Sequence, residues 1–224
     1  MDQPDIDPSD HVAALAALER INYWSGSARI VWRELSLLAR RTPSVPLRVL
    51  DIASGGGDIP IRLWHKARRA GLELSIDGCD KSPTAIEHAV RRAKERETDV
   101  KFFRLDVLAE PIPAGYDVLT CSLFLHHLED SEAIELLRRM AAAARRMVLV
   151  NDLVRSKIGY VAAYVGTRLL STSRVTHVDG PLSVAGAYTP EEALELARQA
   201  GLREATVRRR WPFRFLLTWQ PSGG

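Results

Sequence analysis

Residues 47–58 read Leu-Arg-Val-Leu-Asp-Ile-Ala-Ser-Gly-Gly-Gly-Asp, a short apolar run closed by an acid and followed by three glycines. The order of those parts has chemical consequences. A dinucleotide site of the G-x-G-x-x-G type puts its glycines directly after the first strand and its ribose-binding acid about 20 residues later. Here Asp51 comes before the glycines. A carboxylate at that point repels a pyrophosphate and suits a ligand carrying an ammonium or a sulfonium. Gly55 and Gly57 lack Cβ, so the backbone can approach such a ligand closely and adopt positive φ. Asp80 and Asp106 close two further apolar runs, and Cys121 and His126-His127 follow on from another.

For these side chains to act together, strand ends must meet on one edge. The chain alternates apolar runs and helical periodicity at regular spacing, the pattern of a parallel sheet with helices on both faces. After residues 47–52, strands are expected at Glu73–Cys79, Val100–Leu105, Tyr116–Cys121 and Met147–Val150, with Val207 and Phe213–Trp219 in a final antiparallel hairpin. Ser82 caps a helix whose apolar positions Ile86, Ala89, Val90 and Ala93 follow helical spacing. Residues 131–145 form another, and Thr189-Pro190-Glu191-Glu192 starts a third that ends near Gly201. The expected fold is therefore α/β: one domain over 1–224 with a doubly wound, mostly parallel seven-stranded sheet. Residues 42–152 form its ligand-binding half and 189–219 its C-terminal helix and hairpin.

Two segments stand outside the alternation. Residues 9–41 predict an N-terminal helical cap, with helices at Val12–Leu18 and Ala28–Arg40 joined by the Trp24-Ser25-Gly26-Ser27 turn. Residues 153–188 are too long for an ordinary connection and should carry structure of their own. Ile158–Leu170 reads as a helix with Ile158, Val161, Ala162, Val165 and Leu169 on one face. Ligands in such folds bind beyond the carboxyl ends of the strands, so both segments are placed to form a lid.

With these residues in view, the chain resembles the class I S-adenosylmethionine-dependent methyltransferases, and within them the small-molecule enzymes related to ubiquinone and menaquinone biosynthesis. The likeness covers residues 21–152 by motif and 189–219 by pattern. The first motif matches Asp51-Ile52-Ala53-Ser54-Gly55-Gly56-Gly57, with Ala53 where glycine is most common. The second matches Gly78-Cys79-Asp80-Lys81-Ser82, the third Asp106 in Arg104-Leu105-Asp106-Val107, and the fourth Tyr116 to Leu128. The resemblance implies a Rossmann-like fold, S-adenosylmethionine as cofactor and S-adenosylhomocysteine as product.

Carried onto this chain, the motifs give Asp80 both ribose hydroxyls, which need an ionised carboxylate rather than an amide. Asp106 accepts the adenine amine while the Val107 N–H faces the ring. Asp51 faces the ammonium or the positive end of the cofactor, and the backbone from Ala53 through Gly57 packs along its methionine part. Lys81 and Cys121 border the same pocket. Arg29 either reaches the cofactor carboxylate, which suits a guanidinium, or is a solvated helix charge.

In-line methyl transfer needs alignment and, for some acceptors, a base. Histidine is the natural candidate because its ordinary pKa is about 6.5. His126 and His127 follow strand four; one can pack while the other lines the pocket. His177 lies in the insertion near Asp179, an acid able to orient it. His11, His65 and His88 read as surface or core. The run Ser122-Leu123-Phe124-Leu125 lacks the Pro-Pro-aromatic pattern of base-amine methylation. Only Glu129 is near for arginine chemistry, and acids for a metal are missing after strand four, so no metal is expected. A small aromatic or lipid-tailed acceptor under Phe124, Tyr160, Tyr164 and Tyr188 is the expectation. O-methylation of a phenol or quinol-like compound leads, with C-methylation of an electron-rich ring next. A cofactor-binding assembly protein without catalysis stays open, whereas a nicotinamide reductase fails on the position of Asp51.

Composition is consistent with this. The 224 residues carry 31 basic and 28 acidic side chains, and a net charge of +3 is too small to argue for nucleic acid. Cys79 and Cys121 are the only cysteines and read as buried thiols. The acidic N-terminus has no signal-like apolar region and no run reaches the length of a membrane span, so a cytoplasmic protein without an integral membrane segment is expected. The run Arg208-Arg209-Arg210-Trp211-Pro212-Phe213-Arg214 reads as a solvated sheet edge, with weak peripheral contact to an anionic membrane as the other reading.

Overall fold

The computed structural model describes residues 26–41, 46–170 and 174–221. The expected helix at Val12–Leu18, the Trp24-Ser25 turn and His11 lie outside them. The sheet has the strand order β3-β2-β1-β4-β5-β7-β6. Its strands are β1 Leu47–Ile52, β2 Leu74–Asp80, β3 Lys101–Arg104, β4 Val118–Ser122, β5 Met147–Leu153, β6 Thr206–Arg210 and β7 Arg214–Trp219. The first five are parallel, and β7 enters antiparallel between β5 and β6. The doubly wound expectation therefore holds.

Helices cover both faces. α1 (Ser27–Arg41), α2 (Asp58–Arg69) and α3 (Pro83–Glu95) lie in the first half; α4 (Asp130–Ala143), α5 (Lys157–Leu170), α6 (Arg174–Gly186) and α7 (Pro190–Gln199) follow. In α1 the buried positions Ala28, Val31, Leu35 and Ala39 recur every three or four residues, so one stripe faces the sheet. That stripe joins Val49, Val118, Leu149 and Leu216 in one core layer. The alternate strand residues Leu50, Ile52, Leu119, Cys121, Val150 and Phe215 form the other layer with α4 and α7. Local signals start the helices as the sequence suggests. Ser82 Oγ accepts from Ala85 N at 3.2 Å, and Thr189 with Glu192 forms a reciprocal capping box.

Strand limits shift where partners dictate. β4 begins two residues late because the Tyr116 carbonyl turns away to accept from Arg145 N at 3.1 Å. β5 runs three residues past Val150 because β7 pairs with it as far as Leu153↔Arg214. β6 is the edge strand, with Arg208 and Arg209 exposed, as expected for that basic run. Arg214 departs from the expectation. It is only 3% exposed, because β7 lies inside the edge rather than on it.

The 153–188 insertion corrects a second expectation. It holds two helices, and the large aliphatic stripe of α5 points outward: Ile158 is 73% and Val161 60% exposed. The packed side of α5 carries its small residues Gly159, Ala163 and Thr167, four apart. A Cβ on Gly180 of α6 would stand 2.4 Å from Thr167 Cγ2, so the backbones of α5 and α6 approach as closely as small residues permit. Size, rather than hydrophobicity, selects the buried face here. Among the described residues, no helix is long and apolar enough to cross a membrane.

Candidate active site

Asp51 ends near the tip of β1, between Gly78 of β2 and Thr120 of β4. It is 1% exposed, and the Thr120 hydroxyl donates to its Oδ1 at 2.5 Å. Burial pushes its carboxyl up to about 7; the Thr120 bond opposes that, while the charges of Asp58 and Asp80 add to it. The chain then turns through Ala53 (φ 52°), Gly55 (φ 52°) and Gly57 (φ 75°) into α2. The left-handed value at Ala53 explains why glycine is the natural residue there. Ser54 N donates to the Cys79 carbonyl at 2.9 Å and pins the loop to β2. A Cβ on Gly78 would meet Phe102 at 2.6 Å and Ser54 Oγ at 2.9 Å, so this contact requires glycine.

Asp80 organises the next turn. Its Oδ2 accepts from Gly55 N and its Oδ1 from Ser82 N, both at 2.9 Å. One carboxylate thus ties the glycine loop to the start of α3. Asp106 is half-buried after β3, and its Oδ1 accepts from Leu108 N at 3.0 Å. Val107 is buried, and its carbonyl accepts from Arg139 Nη1 at 3.1 Å. Lys81 is exposed, with its carbonyl accepting from Arg104 Nε at 3.3 Å. Cys121 points into the core, and burial holds its thiol well above the ordinary value. Only its backbone is left to border a ligand. Arg29 is exposed on α1 and folds over its own helix start, where a Cβ on Gly26 would lie 3.3 Å from Nη2.

The acids fit an adenosyl-sulfonium cofactor on their own chemistry. Asp51 is a buried acid beside two others, so a cationic ligand supplies the charge its surroundings lack. A carboxylate has about four acceptor sites, more than the Gly55 and Ser82 donors use on Asp80, so ribose hydroxyls suit it.

The three histidines separate. His126 lies in the short 3₁₀ turn Leu125–His127 after β4, with Nδ1 2.6 Å from Asp152 Oδ1 and its side chain 5% exposed. Burial alone would raise the Asp152 carboxyl, but His126, the Leu153 N–H and the Arg214 guanidinium hold it below its ordinary value. An ionised Asp152 can only accept, so the hydrogen between them sits on His126 Nδ1 and the Nε2 side of the ring is the one left for a ligand. His127 is exposed and its ring lies against that of His126, with centroids 4.1 Å apart. His177 is half-buried in α6, where residues two apart do not face each other, so Asp179 is not placed to orient it. The site thus joins His126 to an acid 26 residues away, and Asp152 is a residue that sequence reasoning did not pair with a histidine. The acid Asp152, after the apolar run that ends at Val150, was its available signal.

Three expected pocket residues lie elsewhere. Tyr188 is buried, and its hydroxyl donates to the Leu128 carbonyl at 2.8 Å and lies 3.0 Å from Asp130 Oδ1. Tyr160 and Tyr164 are exposed on α5. Buried at the rim are Ser27 Oγ, Ser122 Oγ and both amide atoms of Asn151, all without a hydrogen-bond partner. Each such group costs about 1–3 kcal/mol. Among the described residues, no three metal-ligating side chains converge.

Known proteins resemble the chain in the same regions. The methyltransferase domain family matches residues 49–146. A demethylmenaquinone methyltransferase of Thermus thermophilus is 36% identical over 107 residues, 46% of this chain and 47% of that protein. The chain thus aligns with about half the length of that relative. A ubiquinone biosynthesis O-methyltransferase of Thiobacillus denitrificans is 29% identical over 72% of this chain and 67% of its own length. The solved O-methyltransferase family protein of Burkholderia thailandensis superposes with a TM-score of 0.70 at 19% identity, covering 96% of this chain and 60% of its own.

Proposed function

We propose that the chain is a class I S-adenosylmethionine-dependent methyltransferase, as its methyltransferase-domain match and its relatives support, and that it methylates an oxygen of a small phenol or quinol-like acceptor, with His126 as the base. The observation that carries the proposal is the 2.6 Å contact between His126 Nδ1 and Asp152. When bound, S-adenosylmethionine supplies an electrophilic methyl group and is left as S-adenosylhomocysteine.

The chain's own residues divide the remaining work. Asp80 holds the ribose, and Asp106 with the Val107 N–H holds the adenine. Asp51 and the glycine-loop backbone hold the methionine end. Asp152 fixes the His126 ring, and His126 Nε2 takes the proton of the acceptor hydroxyl as its oxygen attacks. A positioned base of this kind contributes about 10²–10⁴-fold. Burial of the pair limits the access of water to the ring. Half-buried Phe124, two residues before His126, favours an aromatic acceptor. The quinone-related names of the relatives point to the same class.

C-methylation of a quinol-like ring is the second reading, favoured by the likeness to the demethylmenaquinone enzyme. It uses the same base to deprotonate the ring hydroxyl. Incubation with methyl-labelled cofactor and a panel of phenols, naphthols and quinols, with products resolved by NMR, separates the two. His126→Ala and Asp152→Asn are expected to lower transfer at least 100-fold while cofactor Kd stays within twofold. Wild-type transfer in both variants would remove His126 as the base.

A further inference from the structure

A groove of about 760 Å³ lies between α2 and α3, and residues around the start of α1 complete its wall. Its charge is lopsided. Arg62, Lys66 and Arg69 form one row on α2, Arg92 and Arg96 a second along α3 and its end, and Arg29 joins them from α1. Asp58, Glu95 and Glu97 are the acids of the lining, and Glu95 also stands 4.0 Å from Arg91, outside the groove. Six cations against three acids leave an excess of three, equal to the net charge of the whole chain. Spread over the surface, that charge is too small to name a partner; inside one groove it is informative.

Helix spacing gathers these cations. Arg62, Lys66 and Arg69 stand four and three residues apart, and Arg92 and Arg96 four, so each row is one stripe. Like charges at that spacing destabilise a helix, so helix stability explains neither row. Burial lowers the His65 value, and the charges of Arg69 and Arg96 lower it further, so cations of both helices act on one point of the lining. Arg92 is the anchor. It is only 9% exposed, and its Nη1 donates to the Gly56 carbonyl at 3.5 Å, which ties the groove to the glycine loop.

Size and lining narrow the occupant. The row from Arg62 to Arg69 is ~10 Å long at the rise of an α-helix. That length suits a few linked anionic groups and falls short of the track a nucleic-acid strand follows. A membrane surface needs apolar anchors beside its cations, and Ala28 and Ile61 of the lining are both buried. Five of the six cations are arginines, whose planar forks match phosphate oxygens in pairs. The volume is that of a small-molecule site.

We propose that this groove is a second binding site, for a small molecule carrying two or more linked phosphates, seated on Arg92 between the α2 and α3 rows. It uses none of the side chains given work in methyl transfer, so it stands or falls apart from that reading.

Calorimetry tests it at physiological salt, where attraction between exposed charges beyond about 8 Å is screened. Tripolyphosphate and orthophosphate are titrated into wild type, Arg69→Gln/Arg96→Gln and Arg208→Gln/Arg209→Gln. Each double variant removes two exposed cations, so the core is untouched and only the place of the lost charge differs. Wild type is expected to bind one tripolyphosphate, at least tenfold more tightly than orthophosphate. The groove variant should lose at least tenfold in affinity, and the β6 variant should stay within twofold of wild type. ATP without divalent cation distinguishes two sources of the same chemistry. Binding at least threefold tighter than tripolyphosphate marks a nucleotide, and anything weaker marks a bare phosphate chain. Losses that do not differ between the two variants, several weak equivalents in place of one, or no binding overturn the site. A short oligouridylate that binds more tightly than tripolyphosphate, and is lost in the groove variant, reassigns the groove to nucleic acid and overturns the proposal as well.

Discussion

Thr120 and Asp51 are joined across the two central strands by a 2.5 Å hydrogen bond, with Thr120 fully buried and Asp51 at 1% exposure. The hydroxyl stabilises the ionised acid, yet desolvation outweighs it, and the carboxyl sits near 7 instead of 3.8. An acid whose folded value stands above its unfolded one binds protons more tightly when folded. Stability is then greatest below the unfolded value and is lost as pH rises through the folded one.

Between pH 4 and 7 the loss from Asp51 is on the order of 4 kcal/mol. Ligand-free protein should therefore melt higher at pH 5 than at pH 8, and Asp51→Asn should flatten that slope. Stabilisation by the cationic cofactor should grow over the same interval, because it favours the ionised acid. Identical slopes in wild type and Asp51→Asn would refute the assignment.

Asp80→Ala removes the acceptor of the Gly55 and Ser82 amides. Cofactor Kd should rise at least 100-fold, and stability to urea should fall by about 2–3 kcal/mol. Asp80→Asn should recover part of the stability and little of the affinity, measured by calorimetry beside urea unfolding.

Ala53→Gly should stabilise the ligand-free fold. Ala53 is held at φ 52°, a conformation that costs a side-chain-bearing residue about 1–2 kcal/mol. The greater freedom of glycine in the unfolded chain returns part of this, leaving a gain of about 0.5–1 kcal/mol. A lower urea midpoint would show that the turn carries no strain.

Ile158→Glu and Val161→Glu should change stability by no more than about 0.5 kcal/mol, because both side chains face water. A loss several times larger would mean that the stripe packs against the domain after all.

How far the sequence could be read depended on how local each signal was. The acid-glycine order at Asp51, the strand-end acid at Asp80 and the Ser82 and Thr189 caps are set by neighbours within a few residues. All of them appear where periodicity and turn chemistry place them. The His126–Asp152 pair depends on β4 lying beside β5, a long-range fact that no spacing rule encodes. The face of α5 was misjudged because its aliphatic residues make the louder pattern. Its contact is decided by Gly159, Ala163 and Thr167, whose value lies in being small. Arg214 looked like part of a solvated run because nothing nearby announces that β7 is the inner strand of the hairpin.

Asn151 and Asp152 are consecutive in β5 and face opposite sides of the sheet. A slip of β5 by one residue against its neighbours would exchange amide for carboxylate on both faces at once. Insertions or deletions within that strand are therefore forbidden twice over, because either would also take Asp152 away from His126.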